Sequence, residues 1–284
     1  MISYSIFTLC FLGLPLWSTS PPLGGENSSK HFLPSKDAAV VVVMCEPYNR
    51  SAGKMLEKYG KRLLEPWVRP YYRTKYWLLG PDATPEAFLQ TIRKAAKSHK
   101  VVDVLIFAHG KKGYLILAGK KTLSNAQIVQ GLQHRGGEKI RMVYTTACYS
   151  QTHLKAWKQA GAFAVRGAPG VNRPLDFPRF YLGWMLGEDF RKASQNGYKW
   201  NKILHQFYNQ LHPFLRQTLR LSSRWLQKYQ PRQPREKKLY RRLKGALRIM
   251  KHWFRTSWNP EESKPYFLGG NPRIYQNPHT PSKP

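Results

Sequence analysis

Two apolar runs of strand length constrain this chain more than any other feature. The first, Val101-Val102-Asp103-Val104-Leu105-Ile106-Phe107-Ala108, stops at His109-Gly110. The second, Ile140-Arg141-Met142-Val143-Tyr144-Thr145-Thr146, stops at Ala147-Cys148. Runs this apolar belong in the middle of a sheet covered on both faces. If the two strands share a sheet, their ends bring an imidazole and a thiol to one rim.

The surrounding pattern supplies the rest of such a sheet. Val40-Val41-Val42-Val43 marks a buried strand over 38–44, and 75–79 reads as a second short strand. A helix over 51–64 carries Met55, Leu56, Tyr59, Leu63 and Leu64 at helical spacing and is expected to end near Pro66. Thr84-Pro85-Glu86 opens another helix, with Thr as cap, Pro at the first helical position and an acid in the first turn. Residues 111–122 read as a hairpin, 124–132 as a capped helix, 152–160 as a helix closed by Gly161, and 163–165 as a fifth strand. Helices are expected over 180–186 and 198–211, with Trp184, Trp200 and Phe207 as core aromatics. Alternating strands and helices predict a three-layer α/β sandwich with a mostly parallel sheet. Ligands of such sheets bind at the carboxyl ends of the strands, where His109 and Cys148 both fall.

The ends of the chain and its charge divide it further. Residues 2–17 are mostly apolar but short for a membrane span of ~20 residues, and Ser18-Thr19-Ser20 supplies small residues for cleavage. A signal peptide over 1–20 and a secreted, periplasmic or extracellular protein are expected, with an uncleaved membrane anchor as the alternative. Residues 21–36 read as a Pro, Gly and Ser linker, 37–275 as the folded domain, and 276–284 as a disordered tail. Lys and Arg number 47 against 15 Asp and Glu, a net charge of +32. Such a balance favours anionic partners and says nothing about fold. Much of it concentrates in 212–258, with 14 basic residues and one acid, Glu236. There Lys237, Arg241, Lys244, Arg248, Lys251 and Arg255 share one helical face, and Tyr240, Leu243, Leu247, Met250 and Phe254 share another. This is a basic amphipathic helix, preceded by a weaker row of Arg216, Arg220, Arg224 and Lys228.

The cysteines bound the chemistry. Cys10 leaves with the signal, and Cys45 and Cys148 are too few for a disulfide scaffold. No CxxC, HExxH, GxSxG or Walker-type spacing occurs, so metal, serine-hydrolase and nucleotide sites of those kinds have no motif, and no cofactor is expected. A thiolate beside an imidazole is a nucleophile with its base, and the imidazolium can protonate a leaving amine. The N–H groups of Gly110 and Cys148 are the candidate oxyanion hole, because a residue without a side chain lets its backbone approach a carbonyl.

These residues resemble a known family. An apolar run ending in His-Gly, a spacer, and an apolar run ending in Ala-Cys are similar to the signature of caspases, legumains, clostripain, gingipains, separases and CHAT domains. Pro81-Asp82-Ala83-Thr84-Pro85-Glu86-Ala87-Phe88-Leu89 is similar to the helix opening of CHAT-type proteins. Ala147-Cys148-Tyr149-Ser150 and Ala160-Gly161-Ala162-Phe163-Ala164-Val165 resemble the same group, and the stretch 265–274 resembles a closing strand. The resemblance covers about 37–275. It implies a caspase-hemoglobinase fold and cysteine endopeptidase activity on a protein or peptide substrate, with His109 and Cys148 as the dyad. Legumain-like enzymes add a polar residue after the first strand, for which Glu46 and Asn49 are the candidates. The chain departs from the family in having Tyr149-Ser150-Gln151 where many relatives place a Gly after the nucleophile. It also has Thr145 and Thr146 where trypsin-like relatives carry an acid, which argues against cleavage after Lys or Arg. Arg50, Arg166 and Arg173, in expected loops at the rim, and Thr146 are the candidate substrate-pocket residues and would suit an acidic substrate residue. Cys45 ends the first strand at the same rim, as a core residue or as a disulfide partner of Cys148. The competing function is an idle scaffold of the same fold that binds anionic membrane, cell-wall polymer or nucleic acid through 212–258.

Overall fold

The computed structural model describes residues 35–48, 50–172, 176–228, 236–237, 240 and 260–272. The expected signal segment, most of the linker, most of the second basic helix and the tail lie outside these residues. The chain divides into two compact units, one running to Trp200 and resuming at Glu261, the other spanning Asn201–Pro260.

The first unit is an α/β domain built on a six-stranded, mainly parallel sheet. Its strands are β1 (Ser35–Met44), β2 (Tyr72–Leu79), β3 (Val101–Phe107), β7 (Ile140–Thr145), β8 (Ala164–Gly167) and β9 (Tyr266–Gly269). They run in the order β2-β1-β3-β7-β8-β9, and only β9 is antiparallel to its neighbour. Each central strand is apolar because both its faces are covered. Every residue of β3 and of β7 is buried. Helices α1 (Arg50–Val68), α5 (Phe177–Met185) and the start of α6 (Phe190–Lys228) supply Leu64, Val68, Phe177, Phe180, Trp184 and Phe190 to one face, against Val40, Val42, Leu105 and Phe107. Helices α2 (Pro85–Ser98), α3 (Asn125–Leu132) and α4 (Leu154–Gln159) supply Phe88, Ile92, Ile128, Leu132 and Trp157 to the other, against Val41, Val43, Val104 and Ile106. Alternation along each strand, with period two, divides the same segment between the two clusters.

Local signals act as the sequence predicts at two helix starts. Thr84 caps α2, its Oγ1 accepting from Ala87 N at 3.1 Å. Ser124 forms a capping box with Gln127 at the start of α3. Helix α1, by contrast, continues to Val68 through Pro66. Only Ser35 and Lys36 of the expected linker are described, and they belong to β1. The expected hairpin is a separate three-stranded sheet of β4 (His109–Lys111), β5 (Tyr114–Ile116) and β6 (Thr122–Ser124). The expected helix over 198–211 is the middle of the 39-residue α6, which contains Pro213.

Charged residues inside the strands are paired. Asp103 of β3 accepts from Arg141 Nε at 3.0 Å and from Tyr72 Oη at 2.5 Å, and Arg141 Nη2 bonds its second oxygen. A register shift opposite Val102/Asp103 makes Arg141 the extra residue of a bulge in β7. Asp176 is bonded by Arg166 of β8 and by Tyr144 Oη at 3.0 Å, and the Arg166 guanidinium lies 4.6 Å from the Tyr144 ring centroid. All four charged groups are at most 2% exposed.

Candidate active site

The chain leaves β1 for β2 on one side and returns to β3 on the other, so the strand order reverses at β1. In open α/β sheets such a reversal is where ligands bind, beyond the carboxyl ends of the strands, here β1 and β3. Glu46 lies two residues past the end of β1, and His109 two past the end of β3. Cys148 lies three past the end of β7, the strand paired with β3 on its other side.

Three contacts fix the imidazole and the nucleophile loop. His109 Nε2 meets Glu46 Oε2 at 2.8 Å, with the imidazole 5% and the carboxylate 2% exposed. Tyr48 stands edge-on to the imidazole at 5.2 Å, and its backbone N–H donates to Glu46 Oε1 at 2.9 Å. Gly110 is pressed onto the neighbouring loop. A Cβ there would collide with the Cys148 carbonyl oxygen and come within 2.9 Å of Ala147 Cβ and 3.2 Å of Cys148 N. Any side chain at 110 would therefore push the two strand ends apart.

Cys148 is half-buried and free. Tyr149 follows it in the left-handed region at φ 54°, a conformation that costs a non-glycine residue about 1 kcal/mol. The surroundings hold it there: Tyr149 N donates to Gly170 O at 2.8 Å, and Ser150 Oγ accepts from Ala168 N at 2.9 Å. The chain thus turns sharply just after the sulfur and enters a short 3-10 turn over Ser150–His153.

That turn is tied to the hairpin that begins at His109. Thr152 Oγ1 accepts from Gly113 N at 2.9 Å, Asn125 Nδ2 donates to Thr152 O at 2.8 Å, and His153 Nδ1 meets Asn125 Oδ1 at 2.7 Å. The His-bearing and Cys-bearing loops are therefore braced together, away from the proposed reacting groups. No local pattern marks either this brace, whose members come from three separated segments, or Tyr48.

His153 is wholly buried, and burial pushes its pKa down to about 4, opposed by a hydrogen bond to the Lys111 backbone. The unfolded chain thus binds a proton more readily than the folded one between about pH 6.5 and 4. Stability from this group is present above 6.5 and is lost as pH falls toward 4, on the order of 3 kcal/mol. Urea midpoints measured at pH 7, 6 and 5 should drop more steeply for the native chain than for His153→Gln. Parallel slopes would refute this.

Several expected site residues stand elsewhere. Arg166 is not in a rim loop. It lies within β8, 1% exposed and paired with Asp176, because a guanidinium on a doubly covered sheet must have its carboxylate. Thr146 is also removed from any substrate pocket. It is 1% exposed, and its hydroxyl donates to Ile106 O at 3.3 Å. Arg50 opens α1, but its side chain, like Arg173 and Asn49, lies outside the described residues. Cys45 is a core residue at 2% exposure, its thiol pushed up to about 12 by burial first and by Glu46 and Glu57 next. A Cys45–Cys148 disulfide does not suit this sheet. Strand β3 separates β1 from β7, and two strand spacings of about 4.8 Å exceed the ~7 Å reach between bridged α-carbons. Among the described residues no three His, Cys, Asp or Glu side chains form a group able to hold a metal ion. No helix among them is long and apolar enough to cross a membrane. No protein-family model matches the chain, and no curated protein matches it.

Proposed function

We propose that the chain is a cysteine endopeptidase of caspase-hemoglobinase-like fold, with Cys148 as nucleophile, His109 as general acid–base group and Glu46 as the residue that positions the imidazole. The observation that carries this reading is the pairing of a buried Glu46–His109 contact with the tight seat of Gly110 on the Cys148 backbone. A catalytic imidazole needs one nitrogen held and the other turned to the nucleophile. With Nε2 held by Glu46, this reading requires Nδ1 to exchange the proton with the sulfur.

In the reaction, the Cys148 thiolate attacks the scissile carbonyl. The carbonyl oxygen gains negative charge, for which the Gly110 and Cys148 N–H groups are the candidate donors. The imidazolium protonates the leaving amine as the C–N bond breaks. Water, losing its proton to the imidazole, then hydrolyses the thioester and frees the sulfur. Exposed Lys111, Lys112 and Lys120 on the hairpin side favour a substrate carrying acidic side chains. Lys120 Nζ lies 5.7 Å from the centroid of the Tyr48 ring that borders His109. The apolar segment 2–17 supports action outside the secreting membrane.

The test is the full chain treated with a mixed-sequence peptidyl chloromethyl ketone library. Mass spectrometry should find Cys148 alkylated and Cys45 untouched, with cleavage of the matching unblocked peptides. No cleavage together with no modification of Cys148 would overturn the reading.

A further inference from the structure

Helix α6 uses 39 residues where the sheet needs only its first turns. Within it stand eight Lys or Arg, namely Arg191, Lys192, Lys199, Lys202, Arg216, Arg220, Arg224 and Lys228, and no acid. Beyond Trp200 it belongs to the second unit. There Ile203, Phe214 and Leu221 are 55%, 67% and 57% exposed. They follow one another at eleven and seven residues, spacings that return to within about 20° of one line on a 3.6-residue helix. Arg220 and Arg224, both exposed, flank that line on one side.

We infer that this face of α6 docks the protein on an anionic phospholipid bilayer, lying in the headgroup plane. The inference goes beyond the proposed peptidase activity and does not depend on it. Two properties coincide on one surface. Beyond Trp200 the helix carries five cations, Lys202, Arg216, Arg220, Arg224 and Lys228, and no anion, which selects a negatively charged partner. A line of large apolar side chains in water selects a partner with an apolar layer just beneath its charge. Nucleic acid satisfies the first and has little use for aliphatic Ile203 and Leu221, since phosphate contacts are made by cations and polar groups. An anionic bilayer satisfies both. Leu221 and Ile203 would enter the acyl boundary, with the arginine stems lying along it and their guanidinium groups in the phosphate layer.

The experiment is sedimentation of the full chain with phosphatidylcholine vesicles, with and without about one-third phosphatidylglycerol, in 0.1 M and 0.5 M salt. Binding is expected to the anionic vesicles alone and to weaken in high salt. Ile203→Ser with Leu221→Ser should lower the partition coefficient by about 100-fold, and Arg220→Gln with Arg224→Gln by about 10–30-fold. All four positions are exposed, and circular dichroism verifies that the variants fold. No binding to the anionic vesicles overturns the inference. So does binding that the Ile203/Leu221 variant leaves unchanged, an outcome expected of a purely electrostatic polyanion site. Retention of a DNA duplex with no retention of vesicles would assign the surface to nucleic acid instead.

Discussion

Cys148→Ala should reduce peptide hydrolysis to background, a loss of about 1,000-fold or more, because no other described thiol can take over as nucleophile. Cys45 is the sole alternative among the described residues, and its buried thiol is held protonated well above neutral pH. Cys45→Ala should therefore keep its rate, which separates loss of the nucleophile from general thiol damage. Glu46→Gln belongs to the same series. Glutamine keeps the shape beside His109 but removes the charge that holds Nε2, so kcat should fall about 10–100-fold with KM little changed. A structural role alone would lower the yield of folded protein and leave kcat per active site intact. Active-site titration with the alkylating peptide distinguishes these outcomes. Full activity in Cys148→Ala would end the peptidase reading.

Asp103→Ala should cost about 3–5 kcal/mol of folding free energy, a large part of the ~5–15 kcal/mol of an ordinary domain. Its carboxylate bonds Arg141 and the Tyr72 hydroxyl in the centre of the sheet, with Asp103 itself 0% exposed. Removing it strands a guanidinium beside the Trp184 ring, 5.3 Å from its centroid, where water cannot replace the lost partner. The double variant Asp103→Leu with Arg141→Met removes both charges and should recover most of that loss, since apolar replacements of a buried pair are often neutral. Urea unfolding of the native chain, the single and the double variants measures this directly. A single variant within about 1 kcal/mol of the native chain would show that the ion pair contributes little.

The membrane and peptidase proposals concern separate units and are tested apart. Neither Ile203, Leu221 nor the two arginines belongs to the sheet domain that carries His109 and Cys148.

Much of the sheet domain is legible in the residues alone. The strongly apolar runs at 101–108 and 140–146, each interrupted by one charged residue, announce central strands, since only a strand covered twice gains from burying both its faces. Thr84 and Ser124 mark helix starts because their side chains reach the N–H three residues on, within one turn. Strand alternation with helices implies a parallel sheet, and the abrupt ends of the runs put His109, Gly110 and Cys148 on one rim.

What the tertiary structure decided is the partner of each isolated charge and the neighbour of each loop. Asp103 and Arg141 stand alone as charges in apolar runs and Arg166 reads as a rim-loop residue, but their partners come from β7, β3 and the turn before α5, across distances no local pattern spans. The same holds for Glu46. The sequence leaves it beside Asn49 as a candidate, and only the crossing of β1 and β3 in one sheet carries it to His109. Arg166 and Thr146 fail as pocket residues for the same reason: burial is a property of the assembled layers, and a side chain that reads as a rim group can face the core. Periodicity and capping act within a turn or a strand, so sequence determines them. Hydrogen bonds between segments depend on register and order, which only the packed sheet fixes.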